Sequence, residues 1–269
     1  MNKDVKINKG DLKVNLKMHT LPAFWLMEVE LPAFMISDLN HYLDNLLEKE
    51  DRIDHSSDLV GQIHTGQQLT MDSKDDRVKK FSYLVCQLGH KYISHFKQVT
   101  GTNKLYPEAM SVSVDSMWSV HSYAGDYNPL HDHGCDTLTG VAATTWTKIP
   151  EQIAKQPDPN EAGYTLFNSS GNSDGYIMFN YGNSSSMDAS ILKPPMSVTL
   201  KPKVGRLYIF PIWLQHTVYP FKGEGERRTI ALNMNAWHVE KEEEELLINK
   251  IVKHEQPLTF KDKPKVENK

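Results

Sequence analysis

The alternation of apolar and polar positions is sharpest between Gly205 and Asn235. Leu207, Ile209 and Pro211 interleave with Tyr208, Phe210 and Ile212, and a run this apolar predicts a strand buried on both faces. Gly223 and Gly225 punctuate a charged loop, after which an extended pattern resumes at Arg227. There Arg227, Thr229, Ala231 and Asn233 share one face of the strand, and Arg228, Ile230 and Leu232 share the other.

The same reading upstream gives a strand-like arm over residues 1–20, turning at Gly10, and a strand over 21–32 bounded by Pro22 and Pro32. Leu39, Tyr42, Leu43, Leu46 and Leu47 follow helical spacing to about Glu50, with Ser37 as the N-cap. Residues 51–76 are polar and read as loop. A second amphipathic helix is predicted over 77–97, with Phe81, Leu84, Val85, Leu88, Tyr92 and Ile93 on its stripe. Residues 104–127, 137–150 and 175–179 read as extended, Tyr164–Phe167 as an edge piece, and 181–190 as a flexible loop. After Ala236 the chain turns acidic, with an amphipathic helix and then a charged tail.

Two helices among early strands, followed by about eight short strands, predict a mostly-β fold with supporting helices. The core is expected to be a double-stranded β-helix of the jelly-roll, cupin-like kind. One domain is assigned to 1–236, with its core at about 105–236, and 237–269 is a charged extension.

Composition narrows the function classes. The chain has 269 residues, a formal charge of -4 and 39% hydrophobic residues. Near-neutral charge gives no nucleic-acid or membrane footprint. Two cysteines, Cys86 and Cys135, make no disulfide framework, and no apolar run approaches ~18 residues. A soluble, cytoplasmic protein of open oligomeric state is expected.

The candidate chemistry lies in Asn128-Pro129-Leu130-His131-Asp132-His133-Gly134. In an extended segment His131 and His133 point together and Asp132 points away. With His216 they make a three-nitrogen metal site. Asp132, if the strand breaks there, and Asp136, from the following turn, are the alternative carboxylate ligands. Arg227 on a strand face is costly unless paired with an anion, which a ligand can supply. Arg228, at the strand end, is expected to turn its head group towards solvent.

At these positions the chain resembles the 2-oxoglutarate and Fe(II)-dependent oxygenases, over roughly Trp118 to Asn235. It looks closest to a branch in bacteria and tailed phages with an H-x-H motif. The matching pieces are Asn128 to His133, Thr139-Gly140 with Pro150, Gly205 to His216, and Glu226-Arg227 with Thr229. The second ligand departs from the commoner pattern, which places Asp or Glu two residues after the first histidine. The resemblance implies an oxidoreductase with Fe(II) and 2-oxoglutarate as cofactors, hydroxylating an unknown substrate while 2-oxoglutarate is decarboxylated to succinate. It implies Arg227 as anchor of the distal carboxylate of 2-oxoglutarate, with Thr229 adding a hydroxyl and Asn128, Trp118 and Tyr123 lining the pocket. Two other readings compete: a three-histidine cupin-type dioxygenase without 2-oxoglutarate, and a non-catalytic jelly-roll binding or structural protein.

Overall fold

The structure is a computed structural model and describes residues 24–57, 60–100, 110–134, 139–158, 172–182 and 196–238. Ten strands and three helices follow in chain order: β1 (Met27–Glu30), α1 (Ala33–Glu48), β2 (Gln67–Thr70), α2 (Asp76–Thr100), β3 (Met110–Ser122), β4 (Asn128–His131), β5 (Thr139–Lys148), α3 (Glu151–Ala154), β6 (Ile177–Asn180), β7 (Ser197–Leu200), β8 (Arg206–Pro211), β9 (Gln215–Val218) and β10 (Arg227–His238). They form a six-stranded sheet in the order β1-β8-β5-β10-β3-β2 and a four-stranded sheet in the order β4-β9-β6-β7. Every paired strand is antiparallel to its neighbour. This is the mostly-β, double-stranded β-helix architecture expected from the strand pattern.

Period-2 alternation divides the six-stranded sheet into two faces with different partners. Val141, Ala143, Leu207, Ile209, Ile230, Leu232 and Met234 pack with Leu39, Leu43, Phe81 and Val85 from α1 and α2. The opposite face carries Ala142, Trp146, Tyr208 and Phe210, which pack with Ile177 and Phe179 of the smaller sheet. Fully burying one such apolar side chain contributes roughly 1.5–3 kcal/mol. Both faces of β5, β8 and β10 are therefore covered, which explains why Leu207 to Ile212 is apolar without interruption. β10 lies between β3 and β5, so its odd-numbered residues, Arg227 to Asn233, face the space between the sheets.

Several boundaries differ from the sequence reading. α1 begins at Ala33, directly after Pro32, and Ser37 lies inside it. Pro32 accepts hydrogen bonds at its carbonyl from the N–H groups of Met35 (3.0 Å) and Ile36 (3.3 Å), and a proline at a helix start is already set to helical φ. Residues 51–76, read as loop, contain β2. Its four residues, QQLT, are short and polar, and they gain strand structure from pairing with β3. After β8 a turn at Ile212–Leu214 carries the chain to the second sheet, where His216 sits in its own strand β9. The expected arm at 1–20, the edge piece at 164–167, most of the 181–190 loop and the helix after Ala236 lie outside the described residues, although β10 itself runs on to His238.

Candidate metal centre and anion pocket

His131 closes β4 and is the direct cross-strand partner of His216 in β9. His133 lies two residues further, and its N–H donates to the Ile212 carbonyl at 3.1 Å. The turn that moves the chain between sheets thus also fixes His133. The three rings are mutual neighbours, with centroids 4.3 Å (His131–His216), 5.0 Å (His133–His216) and 5.2 Å (His131–His133) apart. One ring nitrogen from each lies within 4.8 Å of the others.

The hydrogen bonds decide which nitrogen is available. Nδ1 of His131 lies 2.6 Å from the Pro129 carbonyl, Nδ1 of His133 2.6 Å from Asn233 Oδ1, and Nδ1 of His216 3.0 Å from the Leu214 carbonyl. Each partner is an oxygen that only accepts, so each Nδ1 carries the proton and each Nε2 keeps its lone pair. Orienting a ligating imidazole through its other nitrogen is how metal sites fix tautomer and direction. Burial lowers the pKa of all three, and for His216 the neighbouring His131 and His133 add to burial, bringing it down to about 3. Neutral imidazoles are the ligating form, so the donor set fits a borderline divalent cation such as Fe(II).

Asp132 is exposed. Among the described residues no carboxylate joins the cluster, and Asp136 lies outside them.

Arg227 is 1% exposed. Its guanidinium donates to the carbonyls of Gly175 (3.1 Å) and Tyr219 (3.3 Å) and to Ser122 Oγ (3.2 Å), while Nε has no partner. Burial pulls its pKa down to about 10, with the Asp126 carboxylate opposing that. No carboxylate forms an ion pair with it among the described residues. A buried guanidinium held by neutral groups is suited to receive an anion. Tyr219 lies three residues after His216, about 10 Å along the strand direction. Thr229 is half-buried on the same face, level with Val120 and Trp146. Asn128 is half-buried in β4, opposite Val218. Trp118 places its ring 5.7 Å from His133, whereas Tyr123 is exposed in the turn before β4.

Arg228 does not turn to solvent. It points to the helix side, where it grips Glu226 through Nε (2.7 Å) and Nη2 (3.0 Å) and reaches Asp44 (2.8 Å) and Asn40 Oδ1 (3.2 Å) of α1. Glu226 also meets His121 Nδ1 (2.7 Å) and Lys148 Nζ (3.0 Å). Burial alone would raise the Glu226 pKa, but hydrogen bonds from His121, Arg228 and Lys148 hold it well below the usual carboxylate range. The pattern GEGERR looks like a charged loop, and only the fold shows that an α1 acid and a β3 histidine are waiting for its last residues. Asn233 is likewise visible in sequence as a residue on the inner face, but its role as the acceptor for His133 depends on a contact 100 positions away.

Residues 116–233 match the sequence profile of a family described as "Putative 2OG-Fe(II) oxygenase". The matched segment contains the three histidines, Asn128, Arg227 and Asn233. Proteins of this family are oxidoreductases that use Fe(II) and 2-oxoglutarate, so the enzyme class and the cofactors expected from the motifs stand with the match. Similar solved structures include a prolyl-4-hydroxylase from Pseudomonas putida (13% identity, 78% of this chain and 91% of that one, TM-score 0.47). They also include HygX from Streptomyces hygroscopicus with nickel and 2-oxoglutarate bound (11% identity, 79% and 83%, TM-score 0.45). A search of curated proteins gave no match. Among the described residues no helix is long and apolar enough to cross a membrane.

Proposed function

We propose that this chain is a 2-oxoglutarate-dependent dioxygenase of the H-x-H branch, acting in the cytoplasm on a substrate it hydroxylates. His131, His133 and His216 would hold Fe(II) through Nε2, Arg227 would hold the distal carboxylate of 2-oxoglutarate, and Thr229 and Asn128 would line that pocket. When bound, the metal and cosubstrate supply oxidation of a substrate C–H bond by O2, coupled to decarboxylation of 2-oxoglutarate to succinate. The chain itself orients and shields. The three Nδ1–H groups fix the imidazoles, and Arg227 replaces the hydration of a carboxylate with fixed donors. Trp118 and the apolar residues of the smaller sheet limit water on the inner side.

The observation that carries this reading is Arg227, a buried guanidinium with no carboxylate partner on the sheet face that also presents Asn233 to the histidine cluster. The three-nitrogen donor set also suits a cupin-type dioxygenase that needs no 2-oxoglutarate, but such an enzyme has no use for this arginine. Anaerobic titration of the Fe(II)-loaded protein with 2-oxoglutarate, followed by its visible charge-transfer band, tests the point, together with succinate release in air. Metal binding without 2-oxoglutarate binding would favour the cupin-type alternative and overturn this one.

A further inference from the structure

Gln68 lies in β2, 48 positions before the segment that matches the oxygenase family. It is 1% exposed. Its backbone is engaged, with its N–H donating to Ser56 Oγ at 2.8 Å and its carbonyl accepting from His55 N–H at 2.8 Å. Its side-chain Nε2, however, has no partner. A buried amide donor left unpaired is destabilising, so its retention calls for a ligand that completes it.

The direction of the side chain follows from the strand. The next residue, Leu69, packs into the core with α1 and α2, so Gln68 faces the space between the sheets. It stands in the row Gln68–Val120–Thr229, adjacent to the row Ser122–Arg227. Two strand spacings and two residues separate Gln68 from Arg227, about 12 Å between Cα atoms, which two long side chains can bracket. Gly61 supplies independent support. A Cβ added there would lie 2.8 Å from Gln68 Nε2, 3.0 Å from Gln68 Oε1 and 3.0 Å from Asn128 Nδ2. Only a residue without a side chain lets the loop come this close to the two amides, one from each sheet. The loop bearing it is fastened to the start of β4, with Gln62 N–H donating to the Tyr127 carbonyl at 2.8 Å. Asp126 draws in the same loop through the N–H groups of His64 (2.8 Å) and Thr65 (3.2 Å).

Gln68 Nε2 and Arg227 Nε are both buried donors without acceptors, and the Asn128 amide nitrogen lies on the same side of Gly61 as Gln68. Donors in excess call for an oxygen-rich anion. We infer that Gln68 is a second cosubstrate-binding residue, donating from its amide to the distal carboxylate that Arg227 neutralises, with Gly61 letting its loop pack against that amide without displacing it. The inference rests on the 2-oxoglutarate reading above.

Calorimetric titration of the Zn(II)-loaded protein with 2-oxoglutarate and with 2-oxopentanoate, which lacks the distal carboxylate, tests it. Gln68→Met, similar in length but without a donor, should weaken 2-oxoglutarate roughly 10- to 100-fold and leave 2-oxopentanoate unchanged. Gly61→Ala, which keeps Gln68 but crowds its amide, should show the same selectivity. Equal losses for both ligands, or no loss in either variant, would overturn the inference. Arg227→Ala run alongside separates the two levels: if it loses 2-oxoglutarate while both other variants keep it, only the role of Gln68 falls. If Arg227→Ala binds as the parent does, the 2-oxoglutarate reading falls as well.

Discussion

His133 Nδ1 lies 2.6 Å from Oδ1 of Asn233, a residue 100 positions further along the chain. The central strand of the large sheet thus orients a ring that sits beyond the end of a strand of the small one. Asn233→Leu removes that acceptor and should lower divalent-metal affinity roughly 10- to 100-fold. Asn233→Asp, which keeps an acceptor, should retain it. Competition of each variant with a chromogenic chelator measures both.

Asp132 is exposed, so Asp132→Asn should retain metal, while His133→Ala should lose most of it. Metal content after dialysis against a fixed free concentration decides the matter. Loss in Asp132→Asn with retention in His133→Ala would restore a two-histidine, one-carboxylate centre.

Arg227 and Arg228 are adjacent but belong to different systems, and their variants should fail differently. Arg227→Ala should weaken 2-oxoglutarate tens- to thousands-fold and leave Fe(II) binding nearly intact, because a buried charge-assisted contact is worth roughly 2–5 kcal/mol on truncation. Arg228→Ala strips the bidentate partner from Glu226 and should cost about 3 kcal/mol of stability. Its folded fraction should still bind 2-oxoglutarate. Denaturant unfolding beside ligand titration separates the two effects.

Acid should act in two stages. Glu226 and Asp75 have folded pKa values below those of the unfolded chain, Asp75 at about 2 through its hydrogen bond from Arg77. Below about pH 4.5 the unfolded chain takes up protons that these carboxylates refuse, so their stabilisation is complete above that pH and declines towards pH 2. Glu226→Gln should flatten this decline in a pH series of unfolding midpoints. Metal binding should be nearly independent of pH between about 7 and 8, since burial keeps the three imidazoles neutral there, and should weaken only as acid begins to compete for Nε2.

The parts of the fold that were legible in sequence were those written in strong periodicity. The stripe Phe81, Val85, Tyr92 and Ile93 marked α2, and Leu207 to Ile212 marked β8, because both faces of each pattern are decided by burial. The pairing of His131 with His133 was legible because H-x-H on an extended segment converges, whereas His216 was drawn in through the family resemblance of its surroundings. β2 was not: QQLT has no apolar alternation, and its strand identity comes from β3 lying beside it. The Arg228 network escaped for a related reason. A pair of arginines after two glycines reads as surface, and the distant partners of the second, Asp44 and Asn40, are 184 and 188 positions away, while its neighbour Glu226 meets His121 from 105 positions away.

The position of β10 bears on how the chain is made. It is the last strand in chain order, yet it fills the centre of the large sheet between β3 and β5. Until residue 238 has left the ribosome, β3 and β5 each lack a main-chain partner on the edge that β10 fills, and His133 lacks the acceptor that sets its proton. Contacts this distant in sequence close slowly, so the nascent chain holds two unpaired strand edges from the completion of β5 until β10 emerges and is exposed to misassembly during that interval. The histidine cluster therefore reaches its oriented form only after translation has passed β10.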